Sequence, residues 1–332
     1  MQITSFKNLY FKQNIIDFHT HVGEYQEDEK TYNLMLPALD RFTRDRLPNG
    51  DTVETMRVSK LNVFSKGSDE YETNLALYEA IKNNSKYTLI LSCNPKNGQV
   101  KKLENFIAKY PHAAKGLKFH PSAQKLSVED KKNEPYFDLA DRYNLPCLFH
   151  CDVPTNSEGK LCRDKKGQII KHPYSDPESI YKVAKNHPNT PFVIAHMGSG
   201  WKESHDRTID ILVQAVKNGD ANLYSDISWV DIDSNELNGH RTKEHIIKAI
   251  KALKGIGDPT WDKGDQSFRL IFGTDAPIAR FRKADAIKTY TNFIEDIKFA
   301  IRHDPDLAPD AEQIIEDIFY NNAKRLIDGG LA

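Results

Sequence analysis

The chain is poor in long apolar runs. Nowhere in its 332 residues is there an uninterrupted stretch near the roughly 18 residues that a membrane span requires. The opening MQITSFKNLYFKQNIIDFHTH holds no apolar core of the kind a secretory signal carries. Cysteine is scarce: Cys93, Cys147, Cys151 and Cys162 are the four. No two have Cys-x-x-Cys spacing, and four are too few to staple a chain of this length. They read as reduced thiols of a cytoplasmic protein. Net charge is also nearly absent, with 46 Lys plus Arg against 47 Asp plus Glu. That balance offers no basic face for nucleic acid, and together with the missing span it leaves a small-molecule substrate as the expected partner. Internal repeats and low-complexity segments are missing too.

What is present is alternation. Short apolar runs at Ile15–His19, Leu61–Phe64, Tyr87–Cys93, Lys115–Phe119, Pro146–His150, Phe192–His196, Asn222–Ile227 and Leu270–Gly273 read as strands. Between them lie amphipathic stretches such as Asp69–Asn83, Ser175–Lys185, Ile209–Val216 and Glu244–Leu253. Strand–helix units of this length imply a parallel sheet. About eight of them imply closure into a (β/α)8 TIM barrel. The hydrophobic content of 39% is enough for one large core, and residues 1–332 read as a single domain. Glu24–Gly50 after the first strand and Val153–Pro173 after the fifth read as loop insertions, with Asp231–His240 a third irregular stretch. All follow the C-terminal ends of strands, where barrel enzymes build their sites; as ordinary surface insertions they would carry no function. Ala311–Ile327 reads as a final helix packed on the barrel.

Asp17, His19 and His21 stand at alternate positions of the first run. On a strand they would share a face, and two imidazoles so placed can reach one ion at about 2.1 Å for zinc. The bland reading is a pair of surface histidines at a strand end. Later runs end in matching groups: His150, His196 and Asp275 each close an apolar segment, as a barrel-mouth site requires. Lys118 and His120 share a face of the fourth run. Lys118 has three readings: it binds a substrate carboxylate, it bridges two metals as a carbamate, or it pairs with an acid such as Asp17. Asp226 is similarly placed, with a weaker signal.

These pieces occur as DFHTH at 17–21, GLKFHP at 116–121, FHCD at 149–152, IAHMG at 194–198, FGTDAP at 272–277 and NNAKRL at 321–326. In that order they resemble the amidohydrolase superfamily, and within it the amidohydrolase-related branch of aminocarboxymuconate semialdehyde decarboxylase-like metal-dependent hydrolases. The resemblance implies that His19, His21, His150 and Asp275 bind one divalent ion, zinc before manganese or iron(II), with His196 beside the metal-bound water or substrate. It implies a mononuclear centre, since the lysine of the fourth strand is not usually a bridging ligand in this branch, and an assembly as homodimer or homotetramer. Glu24–Gly50 departs from any member of known substrate.

The expected chemistry is hydrolysis of a C–N or C–O bond of a small carboxylate-bearing amide, cyclic amide or lactone. Asp275 would bind the metal and take the proton of the attacking water, while His196 would polarise the scissile carbonyl or steady developing charge. Lys118 with Arg163 or Arg280 would hold the substrate carboxylate, His120 would line the same face, and Trp201 and Trp229 would wall the pocket or simply pack under loops. The alternatives are non-oxidative decarboxylation of a small aromatic or unsaturated acid, and a non-catalytic barrel that only binds.

Overall fold

The computed structural model describes residues 12–27, 30–43, 46–61, 68–154, 156, 160–198, 202–232, 235–237, 239–254, 256, 269–278, 281 and 283–328. Its strands are β1 (Asn14–Glu27), β2 (Lys30–Leu34), β3 (Thr52–Lys60), β4 (Tyr87–Ser92), β5 (Ala114–Phe119), β6 (Cys147–Phe149), β7 (Phe192–Ile194), β8 (Leu223–Asp226), β9 (Glu236–Leu237), β10 (His240–Arg241) and β11 (Leu270–Ile271). Its helices are α1 (Leu36–Thr43), α2 (Glu70–Ile81), α3 (Val100–Lys109), α4 (Pro121–Gln124), α5 (Glu134–Tyr143), α6 (Pro177–Ala184), α7 (Lys202–Asn218), α8 (Glu244–Leu253), α9 (Ala286–His303), α10 (Ala311–Glu316) and α11 (Asn322–Asp328).

The main sheet runs β11-β8-β7-β6-β5-β4-β3-β1-β2. Every pairing in it is parallel except β1 with β2. The chain after β11 then meets β1: Phe18 N–H donates to Phe272 O at 3.0 Å, Asp275 N–H to His19 O at 2.7 Å, and His21 N–H to Ala276 O at 2.8 Å. Those bonds join the two ends of the parallel sheet, and the fold is a TIM barrel.

Two apolar layers follow from the period of two along each strand. Ile16, Phe18, Ile90, Leu148, Val193, Tyr224 and Ile271 fill the barrel interior, where Ala323 and Leu326 of α11 join them. Their neighbours Ile15, Leu89, Leu91, Cys147, Phe149, Phe192, Ile194, Leu223 and Leu270 face the helices. Helix starts follow from local chemistry. Asp69 caps α2 by accepting from Tyr71 N–H and Glu72 N–H, and Asp176 caps α6 ahead of Pro177. No helix among the described residues is long and apolar enough to cross a membrane. Cys93, Cys147, Cys151 and Cys162 are free thiols.

The second barrel strand is the main departure from the sequence reading. It is Thr52–Lys60, not Leu61–Phe64, of which residues 62–64 lie outside the described residues. Glu54 and Arg57 break its apolar pattern, yet Arg57 is buried and donates to Thr88 Oγ1 at 2.6 Å. The stretch Glu24–Gly50 is not unbroken loop: it holds the β1–β2 hairpin and α1. The tail is helical throughout Ala311–Asp328, as expected, with a π segment at Asp317–Asn321 between α10 and α11. That segment turns the Ile318 carbonyl to accept Phe272 N–H at 2.9 Å.

Candidate metal centre

The period that fills the barrel with Leu148, Tyr224 and Ile271 also aims the residues two or four places further on. Leu148 leads to His150, Tyr224 to Asp226, and Ile271 through Gly273 to Asp275. Lys118 lies between Leu117 and Phe119, which face the helices. On β1 the pairing register shifts between Asp17 and Thr20, so the three alternate residues do not act together. Asp17 turns to the helix side, accepting from Thr274 N–H (3.1 Å), Thr274 Oγ1 (2.6 Å) and Tyr290 OH of α9 (3.0 Å). His19 and His21 turn to the mouth, their rings edge to face at 4.8 Å. Gly273 makes room for this: a Cβ there would stand 2.9 Å from the Cβ of His19.

Proton counting fixes which ring nitrogens are bare. Asp226 accepts from His196 N–H (3.0 Å), Ser228 N–H (3.0 Å) and Ser228 OH, and its Oδ2 lies 2.9 Å from His19 Nδ1. Burial pushes the Asp226 carboxyl up, but His19 and the other donors outweigh it and hold the group below the usual carboxylate range. An ionised Asp226 makes His19 donate from Nδ1, which leaves Nε2 as a bare lone pair. Ser59 Oγ lies 2.7 Å from His21 Nδ1 and holds that ring so that its Nε2 faces Asp275.

His19 Nε2 and His21 Nε2 lie 3.0 Å apart. Asp275 Oδ1 is 2.9 Å from His21 Nε2 and 3.4 Å from His19 Nε2. Burial lowers both imidazoles, His19 to about 4, so neither ring is cationic at neutral pH. Burial raises Asp275, but the imidazoles of His19 and His21 outweigh it and keep its carboxyl well below the ordinary range. Two imidazole nitrogens and a carboxylate oxygen thus converge on one buried point, a donor set that suits a cation. Lys118 Nζ approaches it, 2.9 Å from His19 Nε2. Burial lowers that ammonium to about 8 against the pull of Asp275 and Asp226. The donor set fits a divalent ion: nitrogen and oxygen donors of a zinc type, each imidazole oriented by a partner on its other nitrogen. His19, His21 and Asp275 form one group whose donor atoms all lie within 4.8 Å, and His19, His196 and Asp226 form another.

His196 sits on a turn with positive φ at both His196 (59°) and Met197 (45°). Its Nδ1 is 2.7 Å from Ser228 Oγ, whose proton goes to Asp226, so His196 donates there and bares Nε2. Its ring stacks on His19 at 5.1 Å, and burial lowers its pKa to about 4. His150 stands one place further out. Its Nδ1 is 3.4 Å from His196 Nε2, its Nε2 is 3.2 Å from Asp152 Oδ1, and its ring stacks on His120 at 4.0 Å. His120 Nδ1 accepts from Ala123 N–H at the start of α4.

Trp229 does more than line a wall: its indole N–H donates to Asp275 Oδ2 at 3.0 Å. Arg163 is exposed and donates to Gly167 O in its own loop at 3.0 Å. Trp201 and Arg280 lie outside the described residues. Ser59 and Ser228 escaped the sequence reading, Ser59 because its strand was misplaced; Asp226 carried a signal in Tyr224-Ser225-Asp226, but its role as partner of His19 did not.

A sequence model of the family described as Amidohydrolase matches residues 16–328. No curated protein sequence matches the chain. Among solved structures, a probable 2-pyrone-4,6-dicarboxylic acid hydrolase from Acinetobacter baumannii aligns at 13% identity over 95% of this chain and 100% of its own, with a TM-score of 0.55. The 5-carboxyvanillate decarboxylase from Sphingomonas paucimobilis aligns at 13% identity over 96% and 99%, also at 0.55. The 2,6-dihydroxybenzoate decarboxylase from Rhizobium aligns at 14% identity over 95% and 99%, again at 0.55. At these identities the likeness is one of fold.

Proposed function

The chain belongs to the amidohydrolase family, and from that premise we propose that it is a metal-dependent hydrolase of a C–N or C–O bond in a small carboxylate-bearing substrate. The observation that carries the reading is the convergence of His19 Nε2, His21 Nε2 and Asp275 Oδ1 on one buried point. We assign these three residues as ligands of one divalent ion, zinc before manganese or iron(II). His150 is the proposed fourth ligand, which requires its ring to leave Asp152. Bound there, the ion would polarise a substrate oxygen and lower the pKa of a coordinated water.

The chain's own residues have separate tasks. Trp229 holds one oxygen of Asp275 and the ion would take the other, which suits Asp275 to hold its place more than to shuttle protons. His196, neutral and bare at Nε2, is then the better acceptor for the proton of the attacking water, and returns it to the leaving group. Lys118 releases His19 when that nitrogen is taken, and its buried ammonium is free to pair with the substrate carboxylate. His120 lies beside His150 at the same mouth.

Decarboxylation of a small aromatic or unsaturated acid is the second reading. The pinned Asp275 is compatible with it, because decarboxylation uses no attacking water and so asks no carboxylate to take a water proton. Two of the similar structures carry decarboxylase names and one a hydrolase name, and all three names refer to small cyclic acids. The test has two arms. Purified protein is expected to hold about one transition metal per chain, and His19→Ala with His21→Ala to lose it; full retention overturns the ligand assignment. The metal-replete enzyme is then screened against lactones, amides and aromatic carboxylates. Ring opening or amide cleavage supports hydrolysis, whereas carbon dioxide release from an otherwise intact ring overturns it for the second reading.

A further inference from the structure

The turn after β8 touches the metal centre at three points. Ser228 meets Asp226 and the His196 ring, and Trp229 meets Asp275. Two of its residues, Trp229 (φ 64°) and Asp231 (φ 50°), sit in the left-handed region. Side chains larger than glycine keep that conformation only where surrounding contacts impose it. The turn's own backbone supplies Val230 N–H to Ile227 O at 3.2 Å and Ile232 N–H to Trp229 O at 3.4 Å. The stronger anchors come from helix α8, on the outer layer.

Asp231 Oδ1 is 2.7 Å from His245 Nδ1, and Asp231 Oδ2 accepts His245 N–H at 2.9 Å in the first turn of α8. Lys243 Nζ donates to Asp231 O at 2.8 Å. His245 in turn lies edge to face with His205 of α7 at 5.2 Å. His205 Nδ1 is 3.3 Å from Met197 O, the carbonyl beside His196. Asp231 and both histidines are almost fully removed from solvent. One buried cluster on the helix layer therefore braces both turns that feed the centre, the one carrying His196 and the one carrying Ser228 and Trp229.

We propose that Asp231 and His245 are a positioning pair that sets Asp275 and His196 from outside the barrel. The inference rests on the metal reading above. Asp231 touches neither ion nor substrate; it fixes the turn from which Trp229 aims Asp275 and Ser228 aims His196. A purely structural role, as cap of α8, would cost stability and leave the centre as it is.

Cobalt(II) provides the readout, because its visible bands report ligand geometry directly. Apo wild type, Asp231→Ala and Lys298→Met are titrated with cobalt, with melting recorded alongside. Lys298→Met is the stability control: it breaks the buried pair with Asp51 and touches neither turn. Asp231→Ala is expected to bind cobalt about tenfold more weakly, the low end of what losing an outer partner costs a metal site, with shifted bands. Asp231→Asn, which can still accept His245 N–H, is expected to recover part of both. Lys298→Met is expected to match wild-type binding and bands despite its lower melting point. Unchanged affinity and bands in Asp231→Ala overturn the inference while the metal reading stands. Failure of the wild type to take up cobalt overturns both. If Asp231→Ala does not fold, His245→Gln carries the test, with shifted bands supporting and unchanged bands overturning.

Discussion

Asp226 decides the protonation state of a residue it never shares with substrate. It accepts the Nδ1 proton of His19 at 2.9 Å, and only that tautomer leaves Nε2 bare. Asp226→Asn keeps the shape but turns an N–H donor toward the ring, favouring the tautomer whose Nε2 carries the proton. We expect this variant to bind zinc roughly 10–100-fold more weakly, measured by competition with a chromophoric chelator; wild-type affinity would show that Asp226 does not set the tautomer. Gly273 is a second such residue. The Cβ of Gly273→Ala would press on the His19 Cβ at 2.9 Å, against atoms that cannot swing away as a long side chain would. Zinc affinity is expected to fall here too, and an unchanged value would mean that β1 yields without moving His19. At this scale the sequence speaks unevenly. His19, His21, His150, His196 and Asp275 stand out because a polar residue closing an apolar run is conspicuous. Ser59 and Ser228 are invisible because a serine at a strand end is ordinary; only the proton it gives or takes makes it matter.

A polar residue inside an otherwise regular element misleads in the opposite way. Arg57 hid β3 because a buried arginine breaks the pattern of a strand, although Thr88 accepts it across the sheet. Helix α2 was legible from its apolar stripe, yet it carries a surprise at its first position. Glu70 is fully buried and accepts from Tyr136 OH at 2.8 Å. Burial raises its pKa from 4.5 to about 7, against the hydrogen bond from Tyr136. The folded state therefore holds the proton more tightly than the unfolded chain does. Glu70's contribution is complete below about pH 4.5 and is lost as pH rises through about 7. Glu70→Gln keeps an acceptor for Tyr136 and removes the titration. Its stability relative to wild type is expected to rise by about 3 kcal/mol between pH 4.5 and pH 8, read from urea unfolding across that range. A constant difference would mean that Glu70 ionises in the folded chain as freely as in water. Register breaks are the other limit at this scale. Period two places His150 and Asp275 beyond their strand ends, but nothing in Asp17-Phe18-His19 announces the shift that turns Asp17 away from the pair.

The whole barrel was the most legible feature, because eight short apolar runs separated by helix-length stretches leave few other ways to cover both faces of a parallel sheet. Its stability comes from the two apolar layers, inside the strands and between strands and helices, and neither layer passes through the histidine cluster. The cluster instead ties the barrel's seam, where His19 O accepts Asp275 N–H and Asp17 clasps Thr274. A bound divalent ion would add His19, His21 and Asp275 to that seam from opposite sides. Removing it should therefore loosen the seam without unfolding the barrel, unlike a small zinc domain whose fold depends on the ion. Chelated protein is expected to keep its far-ultraviolet circular dichroism and one cooperative transition, at a lower melting temperature. Restoring zinc at 100 times its Kd should return about 2.7 kcal/mol. His19→Ala with His21→Ala should melt near the chelated wild type and gain nothing from added zinc. Loss of secondary structure on chelation would mean that the ion holds the barrel together, and an equal zinc response in the double variant would place the ion elsewhere on the molecule.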